Sequence, residues 1–238
     1  MPPDLIGNYN KDINIELDGV KKHLETSFLF TREGGLFRVD EYVLNGGVYH
    51  YYLDIYSIGC SEPDFYLDFG TDLDDQGMRH DDIVQNLLSL NMEDERRTKK
   101  IGRVAYKDML LQDNGFVLSA KQIKSVVIDE DYRAAGLARN IYKTLTMKHE
   151  YIVCDNTQSI SGGSLWASSI LSIGEVRIYD MRLNAFVDVL AKEGKGSGGL
   201  IPWSCQTLTA QQIVEWGRSF NPDSCHHIVN VLNKDALH

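Results

Sequence analysis

Ile128-Asp-Glu-Asp-Tyr-Arg133-Ala-Ala-Gly136-Leu-Ala138 is the stretch on which the fold turns. A run rich in β-branched residues, Ile123 to Ile128, leads into it, and helical periodicity follows from Leu137 to Met147. The order predicted is strand, small-residue turn, helix. The opening amides of a helix lack intrahelical acceptors and carry partial positive charge, so such a turn is suited to a phosphate group. Ala134, Ala135, Gly136 and Ala138 are small enough for an anion to approach the main chain, and Arg133 adds a fork-shaped donor. Gly136 also has a plainer reading, as a tight-turn or close-packing glycine. A turn glycine, however, requires no Arg three residues before it.

Outward from this stretch, the patterning is uneven. Residues 1–35 are polar, with a short helix expected at Val20 to Glu25. Phe37 to Leu44 and Val48 to Ile58 flank Asn45-Gly46-Gly47, which is a hairpin signal. Residues 61–79 are acidic, and Asp68, Asp72, Asp74 and Asp75 lack the spacing of a calcium loop, so a solvated loop is expected there. Asp81 is placed to cap a helix running from Asp82 to about Asn91. Three strands follow, Ile101 to Tyr106, Gly115 to Ser119 and Ile123 to Ile128, then the helix from Leu137 and a strand from Tyr151 to Asp155. A Ser/Gly turn at 157–163, a helix from Ser164 to Ile173, and an antiparallel pair, Glu175 to Met181 with Ala185 to Leu190, complete the pattern. Lys192 to Gly199 has the composition of a flexible connector. Beyond it, Thr209 is positioned to cap an amphipathic helix within Thr207 to Phe220, and a second short helix is expected at His226 to Leu232. Three regions result: an N-terminal extension at 1–79, a core at 80–190, and a linker with a helical tail at 191–238.

The composition describes a water-soluble globular protein, with 43% hydrophobic and 24% charged residues among 238. No apolar run approaches the ~20 residues of a membrane span, and Met1-Pro-Pro-Asp4 lacks the features of a secretion signal, so a cytoplasmic location is expected. Cys60, Cys154, Cys205 and Cys225 are scattered without a C-x-x-C pair, which fits reduced, buried thiols and no metal site. A net charge of -10 argues against extended nucleic-acid binding and suits a cationic partner. Six basic residues, Lys121, Lys124, Arg133, Arg139, Lys143 and Lys148, are expected around the phosphate turn. His50 lies in an aromatic strand and reads as pocket wall or sheet face; His226 and His227 are adjacent and lack metal-site spacing. The first two glycines of a dinucleotide-binding fingerprint are missing.

The strand, the acidic turn and Arg133-x-x-Gly136-x-Ala138, with Tyr132 before the Arg, together resemble the acyl-CoA signature of the GNAT superfamily of N-acetyltransferases. The resemblance covers roughly residues 80–190. It implies an α/β (α+β) fold in which a central splayed sheet is flanked by helices, here with an N-terminal hairpin extension and a C-terminal helical tail. It further implies that acetyl-CoA is the co-substrate, its pantetheine arm lying between the strands Ile123–Ile128 and Tyr151–Asp155. Val126, Val127 and Ile128 would then offer main-chain partners, the amides of Arg133, Ala134, Ala135, Gly136, Leu137 and Ala138 would take the diphosphate, and Asn156 would contact the arm. Many members place a Tyr acid on the following helix; here the segment reads Ser164-Leu-Trp166, and an indole N–H is no proton donor at neutral pH. Ser164, Ser168, Tyr179 or solvent would protonate the leaving thiolate. Asp155 is either a base orienting the acceptor amine or a turn cap.

The segment Asp155-Asn-Thr-Gln158 followed by Ser161-Gly-Gly-Ser-Leu-Trp166 is similar to acetyltransferase-like proteins often encoded by bacteriophages, which would place the protein in a host cytoplasm. The implied activity is N-acyl transfer to a primary amine on a small molecule, a protein Lys or an aminated nucleobase, the last in phage DNA hypermodification. The competing expectation is a non-catalytic protein of the same fold that binds a host partner.

Overall fold

A computed structural model describes residues 4–7, 12–62, 64–133, 135–224 and 226–238. Its elements form a large, mostly antiparallel sheet and five α-helices among the described residues. Contacts divide the chain into two compact units: Asp12–Ala105 with Ser125–Asn140, and Tyr106–Lys124 with Ile141–His238 and the start of the chain. Two long strands, β5 (Lys99–Asp113) and β6 (Phe116–Ile128), run through both units. Where three strands were expected there are these two, turned at Asn114 and Gly115, whose φ values of 51° and 85° suit a tight hairpin. The polar stretch from Lys107 onward resembles a loop only because one face of β5 meets solvent.

The unit containing Asp12–Ala105 is built on β2 (Val20–Thr31), β3 (Gly35–Asn45) and β4 (Tyr51–Ser57), followed by α1 (Phe65–Asp75) and α2 (His80–Ser89). The hairpin around Asn45-Gly46-Gly47 is present, with β3 and β4 antiparallel from Phe37↔Ser57 to Val43↔Tyr51. Val20–Glu25, expected as a helix, is strand: it pairs with β3 from Val20↔Asn45 onward. Its exposed side chains mark an edge, where the non-local ladder outweighs local helical spacing. The acidic segment expected as loop holds α1. Tyr66, Gly70 and Leu73 repeat at helical spacing and are buried, while Arg32 neutralises Asp74 at 3.0 Å and Asp75 at 2.5 Å. The cap of α2 falls at Arg79 rather than Asp81, leaving Asp81 and Asp82 in the first turn, where the helix dipole favours them. Phe30, Leu36, Tyr66, Leu73, Ile83 and Leu87 form the core of this unit.

The other unit holds β1 (Asp4–Ile6), most of α3 (Leu137–His149), β7 (Tyr151–Val153), β8 (Thr157–Ser159), α4 (Ile160–Ala167), β9 (Gly174–Asp180), β10 (Ala185–Val189), α5 (Ala210–Trp216) and β11 (Ile228–Leu237). The expected turn at 157–163 is instead β8, parallel to β1, and the start of α4, capped by Ser159 four residues before Gly163. The antiparallel pair β9–β10 is present as expected. The helix expected at His226–Leu232 is β11, which lies between β7 and β9, with Val231 opposite Val153 and Val229 opposite Tyr179. Ile228, Val229 and Val231 are β-formers, and both neighbouring strands need a partner. The end of the tail therefore completes the sheet as a strand, while the helix expected within Thr207 to Phe220 is present as α5. The connector at 192–199 is folded back rather than loose: Gly198 N and Leu200 N donate to the Asp188 carboxylate at 2.9 and 3.2 Å. Thr209 caps α5 through a capping box with Gln212, as its position suggests. Trp166, Trp203 and Trp216 are buried, the last two in contact at 5.2 Å between centroids. No described helix is long and apolar enough to cross a membrane.

Candidate functional site

The turn after β6 is assembled from local bonds. Asp129 accepts from Asp131 N at 3.3 Å and from Lys99 Nζ at 3.2 Å. Hydrogen bonding to Lys99, with help from the Asp131 amide, holds its carboxyl below the usual range. The Tyr132 ring packs edge-on against Phe37 at 6.0 Å, and Arg133 is anchored by its Nε donating to Ile128 O at 3.2 Å. Ala135 and Leu137 turn their side chains into the core. Gly136 sits at φ +63°, a left-handed conformation that other L-residues resist, and a Cβ placed there would meet nothing within 4 Å. Open space above this backbone leaves room for an anion.

The amides are not all equal in this turn. Arg133 N already donates to Glu130 O at 3.3 Å and Ala135 N to Tyr132 O at 3.2 Å. Among the described residues the first bond into α3 (Leu137–His149) is Asn140 N to Gly136 O at 3.2 Å, and the amides of Leu137, Ala138 and Arg139 are the opening amides of the helix. Of the expected donors from Arg133 to Ala138, the amides of Arg133 and Ala135 are therefore engaged within the turn. Ala134 lies outside the described residues. The basic cluster also thins out: Lys121 is bound to Asp108 and Lys124 to Asp155.

At the other expected position, β6 and β7 run parallel through Lys121↔Ile152 and Gln122↔Val153. Beyond this point side chains replace the ladder. Gln122 Nε2 donates to Cys154 O at 3.1 Å and to Asn156 Oδ1 at 2.8 Å, and Cys154 N turns to Asn230 O at 2.9 Å. Asp155 pairs with Lys124 and accepts from Asn156 N at 2.7 Å, which makes it a turn cap in an ion pair rather than an unengaged base. The Asn156 amide is occupied at both ends, its Nδ2 donating to His226 O at 2.9 Å.

The remaining expected proton carriers have partners elsewhere. Ser164 Oγ accepts from Arg218 Nη1 at 3.1 Å, and Ser168 Oγ donates to Ser164 O at 2.5 Å. The Tyr179 hydroxyl accepts from Gln112 N at 2.9 Å and is buried beside Phe186. Trp166 is core, edge-on to Tyr142 at 5.4 Å. Asp155 and Tyr179 each have other partners, and only Ser164 and Ser168 are joined by a bond.

One arrangement carries no sequence signal. Asp180 accepts from Arg182 N at 2.7 Å and Leu183 N at 3.1 Å, and its second oxygen lies 3.5 Å from His227 Nε2. Burial pushes the imidazole pKa down against the opposing pull of Asp180. Both residues line a cavity of about 550 Å³ with Asn221 and Ser224. Forty-seven positions separate the two in sequence, and only β9 beside β11 brings them together. No protein-family model matches the chain, and no curated protein matches it in sequence.

Proposed function

We propose that the chain is an acyl-CoA-dependent N-acyltransferase of the GNAT type, using acetyl-CoA and a primary amine. The observation that carries this reading is the turn at Gly136: a left-handed glycine under open space, followed by helix-start amides and flanked by an anchored Arg133. Those amides and the guanidinium would hold the diphosphate. Acetyl-CoA would supply the activated acyl group when bound. The β6 backbone from Val126 to Ile128 would pair with the amide-rich arm, as an added strand does. The neutral amine would attack the thioester carbon as the C–S bond breaks, its proton passing to a base or water. The acceptor classes are a small amine, a protein Lys, or an aminated nucleobase as in phage DNA hypermodification.

A non-catalytic protein that keeps the CoA turn is the second reading. It is favoured by the engagement of Asp155, Ser164, Ser168 and Tyr179 and by the burial of Trp166. Thermal melting separates the possibilities. Acetyl-CoA at a hundredfold excess over its Kd should stabilise the fold by about 2.7 kcal/mol. Arg133→Glu should abolish that shift, and Arg133→Gln should reduce it. Absence of any shift in the wild type sinks both readings, whereas a shift without turnover on an amine panel selects the binding protein.

A further inference from the structure

A cleft of about 1200 Å³ in the Ile141–His238 unit lies where the end of α4 and the turn at Lys192–Gly194 meet the segment after α5. Its floor is shaped by Arg218. The guanidinium lies 5.1 Å from the Trp216 ring centroid, and Nη1 donates to Ser164 Oγ at 3.1 Å and Trp216 O at 3.4 Å. Every one of these partners is neutral. Arg32, Arg38, Arg79, Arg97 and Arg103 each have a carboxylate within 4.0 Å, but Arg218 has none among the described residues. In a chain of net charge -10, a half-buried arginine held only by neutral groups is an exception. Lys192 adds a second cation to the same cleft, and Glu193 is the one carboxylate lining it. Leu171, Ile201 and Phe220 supply an apolar wall.

We propose that this cleft binds a small organic anion, a carboxylate or phosphate carried on an apolar body. Arg218 meets the anionic group with the rest of its planar fork, Lys192 adds long-range attraction, and the apolar wall takes the body of the ligand. Ser164 acts here as a positioning residue that holds Arg218. The inference is independent of acyl transfer, since it uses none of the residues at the Gly136 turn.

Trp216, beneath Arg218, is a built-in reporter. Titration with phenyl phosphate and with benzoate, followed by tryptophan fluorescence and calorimetry, should show saturable binding by at least one, weakening as salt is raised. Phenol and inorganic phosphate should bind at least tenfold more weakly than the anion that binds. Lys192→Gln, at an exposed position, should weaken binding about tenfold, Arg218→Gln more strongly, and Glu193→Gln should tighten it. Lys192→Gln should leave the melting temperature, and any shift produced by acetyl-CoA, in place; Arg133→Glu should leave phenyl phosphate and benzoate binding unchanged. Binding by neither anion, equal binding of phenol, or indifference to both Lys192→Gln and Arg218→Gln would overturn the proposal.

Discussion

Cys154 is fully buried, its Sγ accepts the Asn230 amide at 3.1 Å, and burial pushes the thiol up to about 12. In the unfolded chain the same thiol ionises near about 8.5. Between those values the unfolded state releases a proton that the folded state keeps, so this contribution to stability is full below about 8.5 and is lost as pH climbs toward the folded value. Urea melts should therefore show a smaller unfolding free energy at pH 10 than at pH 8. Cys154→Ala should flatten that difference while lowering stability at pH 8 by about 1 kcal/mol through the lost acceptor and packing. An alkaline slope unchanged in the variant would refute the assignment. Asp155 teaches the complementary lesson. Its cap to Asn156 is local and was one of its two sequence readings, but its ion pair is made by a residue 31 positions away. Spacing along the chain could not decide between base and cap, because the deciding partner sits on a different strand.

Elements were legible wherever the local pattern and the tertiary role agree. The Asn-Gly hairpin of β3 and β4, α3 with its turn, the pair β9–β10 and the Thr209 cap of α5 all rest on short-range chemistry. Reading failed where packing or pairing overrides it: β2 is held by β3, and α1 is held by the core although four aspartates crowd its sequence. Gly70 in α1 measures that override. Alanine is the better helix former by about 1 kcal/mol, yet a Cβ there would fall 2.3 Å from the Phe30 ring. Overpacking of this kind costs about 1–3 kcal/mol, so Gly70→Ala should destabilise on balance. An increase in melting temperature would show that α1 does not rest on Phe30.

At the scale of the molecule, the last strand is the structural decision that matters most. β11 pairs with β7 on one side and β9 on the other, and its Val229, Val231 and Leu232 are buried. Removing residues 228–238 would leave two interior strand edges unpaired and strip apolar cover from them. The truncated chain should lose its cooperative thermal transition and aggregate; a soluble truncation with a sharp melt would show that the strand is dispensable. The same pairing sets His227 beside Asp180.

The sequence by itself determined the strand–turn–helix at Gly136, because left-handed backbone, helix start and small side chains are all consequences of neighbouring residues. It likewise determined the hairpins and caps, which close over a few positions. Only the tertiary structure decided that the C-terminal segment is an interior strand, that Asp155 is paired, and that Arg218 stands in a cleft with no carboxylate within 4.0 Å of it among the described residues. Those outcomes depend on which distant backbone edges and charges meet, and short-range periodicity carries no record of that.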